Sequence, residues 1–173
     1  MFAMLQNLLP PEPLAPRLLD REMIDRAYPL VRSIAAGITL DRWTRFARPL
    51  VTSRSTSRPH GLMTIQNAAG YSLGLFGFEV RDDLQDGRTL AIENIVIANI
   101  PGRDTIWGAV ISTAENLARM HGCRAIRAGL SDELDPSDSD RAWLTNSFES
   151  AGYSLEGVRA CKRIEVSDAA NAH

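Results

Sequence analysis

A chain of 173 residues, 45% hydrophobic and 23% charged, has the size and make-up of one globular domain. Its net charge of −2 speaks against nucleic acid or an anionic membrane as the main partner, and no apolar run reaches the roughly 18 residues of a membrane span. Cys123 and Cys161 stand apart from each other and from His60, His121 and His173, so no disulfide scaffold and no metal site is expected. Residues 1–16 lack the basic start of an export signal, which points to a cytoplasmic protein.

Residues 1–16 form a Pro-rich extension, stiffest across Pro10-Pro11-Glu12-Pro13, that could contact a second subunit in a homodimer. A helix is expected from Asp20, with Asp20 as its cap and Leu19 and Ile24 as a hydrophobic staple. Pro29 lies inside that pattern and predicts a kink or two short pieces, ended by Gly37. Thr39 or Asp41 opens a second helix, with Leu40, Trp43, Phe46, Ala47 and Leu50 on its buried side. A polar loop over 51–61 leads into strands at 62–66 and 71–80, joined through Asn67-Ala68-Ala69-Gly70. Asp86-Gly87 turns the chain into a third strand, 89–98, apolar throughout except at Glu93 and Asn94. Such a run predicts a strand covered on both faces, in the middle of a sheet.

Residues 105–121 make the most legible helix, stopped by Gly122 and followed by a strand at 124–130. A crossover of that length makes the strand parallel to 89–98. An acidic loop at 131–140, a helix at 143–151 and a closing strand at 158–166 complete the order, with a frayed tail at 167–173. The fold class is therefore α/β (α+β): a mixed, mostly antiparallel sheet with a central parallel pair and helices on both faces. One domain covers residues 17–166.

The stretch Asn99-Ile100-Pro101-Gly102-Arg103-Asp104-Thr105-Ile106-Trp107-Gly108 ends a central strand and opens a helix with an arginine at its mouth. Helix N-terminal amides and the helix dipole favour an anion there, and a guanidinium suits phosphate. An ordinary Pro-Gly turn with Asp104 as a capping residue explains the same letters. The element order, with Glu93-Asn94-Ile95-Val96-Ile97 running into Arg103-x-x-Ile106-x-Gly108, resembles the GNAT superfamily of acyl-CoA-dependent N-acyltransferases. Phe148-Glu149-Ser150-Ala151-Gly152-Tyr153 is similar to that family's aromatic-x-x-x-Gly-aromatic segment.

That resemblance implies acetyl-CoA or coenzyme A as cofactor and a small-molecule or peptide amine as acceptor. It implies that Arg103, Asp104, Thr105, Ile106, Trp107 and Gly108 hold the pyrophosphate, while Ile95, Val96 and Ile97 offer backbone groups to the pantetheine arm. Glu93 falls where members carry the carboxylate that takes the amine's proton. Because an ammonium has no lone pair, such a base lets the amine attack a thioester.

Three residues depart from the pattern. Ile106 replaces the first motif glycine and is expected to crowd the phosphate path. Asp104 adds a negative charge, and Phe148 stands where the family's tyrosine acid falls, with no proton to give. Acyl transfer from coenzyme A to a primary amine in a ternary complex is the first reading. A non-catalytic module that binds or senses acyl-CoA is the alternative. Arg42, Arg45, Arg48, Arg54 and Arg58 occur with no acid between Asp41 and Glu79, either as a solvated face or as a surface for an acidic acceptor or partner.

Overall fold

A computed structural model describes residues 13–53, 56–129 and 138–154. The chain divides into two units, Met1–Ser137 and Asp138–His173. The first is built on five strands in chain order: β1 (Ala15–Leu18), β2 (His60–Gln66), β3 (Ser72–Asp83), β4 (Gly87–Ile97) and β5 (Ala125–Ala128). Neighbours from β1 to β4 are antiparallel, and β4 with β5 is parallel. The 18-residue helix α3 (Arg103–Met120) makes the crossover that a parallel pair requires.

Side chains alternate across a strand, so cross-strand partners share a face. Leu62 opposes Gly77 and Leu75 opposes Val96. Leu62, Leu75 and Val96 line the face that meets α1 (Ile24–Ile34) and α2 (Leu40–Thr52), in one cluster with Leu19, Ile24, Ala27, Leu30, Val31, Trp43 and Ala47. The other face carries Gly74, Phe76, Phe78 and Val80 of β3 and packs on α3. A Cβ placed on Gly74 would lie 3.1 Å from the Ile106 side chain and 3.2 Å from Val110. Helices thus cover both faces of the sheet, as its two apolar surfaces demand.

Several expectations shift. β1 begins at Ala15, inside the segment expected to be a stiff Pro-rich lead-in, and ends at Leu18, just before the expected helix cap. Asp20 caps a turn rather than the helix: its carboxylate accepts the Met23 amide at 3.0 Å, and α1 begins only at Ile24. α1 runs as one helix, Ile24–Ile34, with Pro29 inside it, where the ring removes the ladder bond that its N–H would have made to Asp25. On α2, Thr39 is the cap, its hydroxyl accepting the Arg42 amide at 3.2 Å. Trp43 and Ala47 are buried, but Leu40 and Phe46 remain about two-fifths exposed. The helix's inward stripe is only as wide as its contact with α1 and β2.

In the second unit α4 spans Asp138–Ser150, starting five residues before the expected 143. It ends at Gly152 (φ 83°), with the Tyr153 amide returning to the Phe148 carbonyl at 3.0 Å. The expected strand at 158–166, with Cys161, lies outside the described residues, as do Arg54 and the extension before Pro13. Among the described residues no helix is long and apolar enough to cross a membrane, and no group of three His, Cys, Asp or Glu could hold a metal.

Candidate active site

β4 carries one irregularity, and it falls at Glu93-Asn94. Gly77 opposes Glu93 and Leu75 opposes Val96, so Asn94 and Ile95 together face the single residue Phe76. This is a β-bulge, and Asn94 holds φ of 54°, a conformation asparagine tolerates better than most residues. Pairing with β5 stops at the same place. Ile92 is the last β4 residue in the parallel register, and its carbonyl takes the Gly129 amide at 2.8 Å.

Past the bulge the backbone's direction can be followed bond by bond. Ala98 donates to the Leu73 carbonyl at 2.8 Å, so Ala98 and, two residues back, Val96 turn their peptide groups toward β3. Ile97 turns its own away from β3. Of the three residues expected to offer backbone groups to a ligand, Ile97 is therefore oriented to do so and Val96 is not.

Glu93 is half-buried and shares the face of Gly77, Leu62 and Leu75, the side on which α1 and α2 lie. Gly77 is buried beside it: a Cβ there would meet the Glu93 carbonyl at 3.4 Å, the Leu62 side chain at 3.5 Å and the Asn94 amide nitrogen at 3.8 Å, so the space over Gly77 is already lined. Tyr28 approaches this side from α1, but its hydroxyl donates to the Ile38 carbonyl at 3.0 Å and ties down the linker between α1 and α2.

At the end of β4, Gly102 caps α3 in the left-handed region (φ 88°), and its carbonyl accepts the amides of Thr105 at 2.9 Å and Ile106 at 3.3 Å. The Arg103 amide donates to the Ile100 carbonyl at 3.1 Å. Three amides of the expected anion nest, those of Arg103, Thr105 and Ile106, are thus bound within the turn and helix. Asp104 is not a cap; it stands exposed in the first turn, one turn before Gly108 on the same side. Gly108 is exposed with open space where a Cβ would be. Ile106 and Trp107 are buried. The expectation that Ile106 crowds a phosphate path is therefore corrected: its side chain fills the space above Gly74 and faces the sheet.

No protein-family model and no curated protein matches the sequence. Solved structures do match. The aminoglycoside N-acetyltransferase AAC(6')-Iy in complex with CoA superposes with a TM-score of 0.69 at 13% identity, over 91% of this chain and all of that one. Glucosamine-6-phosphate N-acetyltransferase from Arabidopsis thaliana gives 0.62 at 13% identity, over 89% of this chain and all of its own. A transcriptional regulator from Bacillus halodurans C-125 gives 0.66 at 13% identity, over 87% of this chain and all of its own. The chain has the GNAT fold.

In this GNAT-fold protein the bulge, Glu93 and the Gly102–Gly108 turn all belong to β4 and the start of α3, which brings them to one end of the sheet. Asn94, the bulge residue, was missed; its one signal in the sequence is that with Glu93 it interrupts an otherwise apolar strand. Phe148 lies in the second unit, where its ring makes an edge contact with Tyr153, centroids 5.2 Å apart. Cys123 lies beyond the far end of α3, roughly 27 Å of helix from Gly102, and burial raises its thiol pKa against the opposing influence of Arg88. It has no part in this site.

Proposed function

We propose that this GNAT-fold protein is an N-acyltransferase that moves an acetyl group from coenzyme A to a primary amine by direct attack. The observation that carries this reading is the Asn94 bulge at the point where β5 stops pairing, one strand-end away from the Gly102–Gly108 turn. The likeness to two N-acetyltransferases, one of them solved with CoA, supports it at the level of fold.

Bound coenzyme A would supply an acyl group already activated as a thioester. Ile97 would hydrogen-bond the amides of the pantetheine arm through the peptide groups it turns away from β3. The open surface at Gly108 admits the diphosphate, and Arg103 offers it a guanidinium. Glu93, at the bulge and half-buried, takes the proton of the incoming ammonium, directly or through water.

A second reading, a GNAT-fold module that binds an acyl-CoA without transferring the acyl group, is favoured by exposed Asp104 at the mouth and by Phe148, which lacks a hydroxyl. The two are separated by following free thiol released from acetyl-CoA across a panel of small amines and N-terminal peptides. Amine-dependent release is expected, falling about 10²-fold or more in Glu93→Gln while the affinity for acetyl-CoA is kept. Binding without release across the panel sinks the enzyme reading; full turnover in Glu93→Gln moves the base elsewhere.

A further inference from the structure

Among the described residues, left-handed backbone falls on glycine at Gly70, Gly87, Gly102, Gly122 and Gly152, and on one residue with a side chain, Asn94. Glycine takes that conformation at the least cost, so a bulge by itself calls for glycine. At position 94 the chain keeps a carboxamide instead. Its exposure is as unusual as its backbone. β4 lies inside the sheet, between β3 and β5, and from Gly87 to Ile97 Asn94 is the one exposed residue.

The bulge also decides which way that side chain goes. Strict alternation would put the neighbours Glu93 and Asn94 on opposite faces of the sheet. Glu93 shares the face of its partner Gly77, and a Cβ on Gly77 would lie 3.8 Å from the Asn94 side-chain nitrogen. The left-handed residue therefore brings its carboxamide round to the face of the carboxylate. No hydrogen bond joins the Asn94 side chain to another described residue. Its two N–H donors and its carbonyl oxygen are open to solvent beside Glu93.

We propose that Asn94 sets acceptor specificity, selecting primary amines that carry a hydroxyl or carbonyl oxygen on the carbon next to the amine-bearing carbon. The inference rests on the acyl-transfer reading and narrows its acceptor to one class. Glu93 takes the proton of the ammonium, while the Asn94 amide donates to the neighbouring oxygen, so two successive residues recognise two successive carbons. A polycationic acceptor is a poorer match, because a second carboxylate, not a neutral amide, is the stronger partner for a second ammonium. Water competes for a bond at an exposed residue, so the discrimination is about tenfold rather than the far larger factor of a buried pair.

The test uses thiol release from acetyl-CoA with ethanolamine and glycinamide, which have the oxygen, and propylamine, which lacks it. The quantity read is the ratio of kcat/KM for each oxygen-bearing amine to that for propylamine, compared between the parent protein and Asn94→Gly. Differences in amine basicity cancel in that comparison. Glycine keeps the left-handed backbone, so the melting temperature and the acetyl-CoA affinity should hold in the variant. The ratio should fall about tenfold for the recognised class, ethanolamine reporting a hydroxyl and glycinamide a carbonyl. An unchanged ratio for both overturns the proposal while the acyl-transfer reading stands. Should no amine release thiol, that reading fails by itself, and the carboxamide is followed directly by NMR with coenzyme A present. Its side-chain amide signal, identified by its loss in Asn94→Gly, should shift with ethanolamine or glycinamide and not with propylamine. Equal shifts, or none, overturn the proposal.

Discussion

Asn94 and Asp83 are small residues that decide local geometry by opposite means. Asn94 accepts a left-handed backbone so that β4 can take one extra residue at the candidate site. Asp83 holds the β3–β4 turn by accepting the amides of Gln85 at 2.9 Å and Asp86 at 3.1 Å, and Arg127 of β5 pairs with both Asp86 and Asp83. The Asp86 and Gln85 amides, followed by the nearby arginines, pull the Asp83 carboxyl below its ordinary value of 3.8. A depressed folded-state value means stability present above the ordinary value and lost as pH falls through the folded one. Asp83→Ala should therefore lower the melting temperature at neutral pH, and the gap from the parent protein should narrow and close as pH falls below about 4. A constant gap from neutral to acid pH would show that the turn is held by shape rather than by the charge. Glu93 was legible as a residue, because it interrupts an apolar strand. Ile106 was legible only as a departure, and its inward direction came from the space above Gly74.

At the scale of elements, the bulge reverses the parity of β4. Ile92 and Ile97 are five residues apart, yet both share the α3 face of the sheet, which strict alternation forbids. One inserted residue thus lets an apolar run stay buried on both sides while Glu93 keeps its place on the α1–α2 face. α3 is held close by Gly74, where a Cβ would meet Ile106, Val110 and Ile65 at 3.1–3.3 Å. Gly74→Val should cost about 1–3 kcal/mol through overpacking, which at roughly 2–4 °C per kcal/mol is a clear drop in melting temperature. Calorimetry measures it, and an unchanged transition would mean that α3 can slide on the sheet. The helices and β2 to β5 were legible from periodicity and turns, with ends wrong by a few residues because caps depend on local bonds. β1 was not: four residues of mixed character with a proline carry no strand pattern, and only pairing with β2 makes them one.

For the whole molecule, ligand linkage is the decisive property. A ligand that binds only the folded state at about 100 times its dissociation constant adds roughly 2.7 kcal/mol, several degrees for a chain this long. Acetyl-CoA should raise the melting temperature by that amount, and Arg103→Glu should abolish most of the rise by setting a second acid beside Asp104. No shift at saturating ligand would mean that the turn before α3 does not hold a diphosphate. By itself the sequence determined the α/β order, the parallel crossover and the turn into α3, because periodicity, glycine stops and crossover length are local. It also placed a carboxylate on a central strand. Only the tertiary structure decided where β4 bulges, which peptide groups turn away from β3, that Ile106 faces the core and that Phe46 stays half-exposed. Those outcomes depend on register and packing between segments distant in sequence, and no local pattern encodes which side of a strand or helix its neighbours will cover.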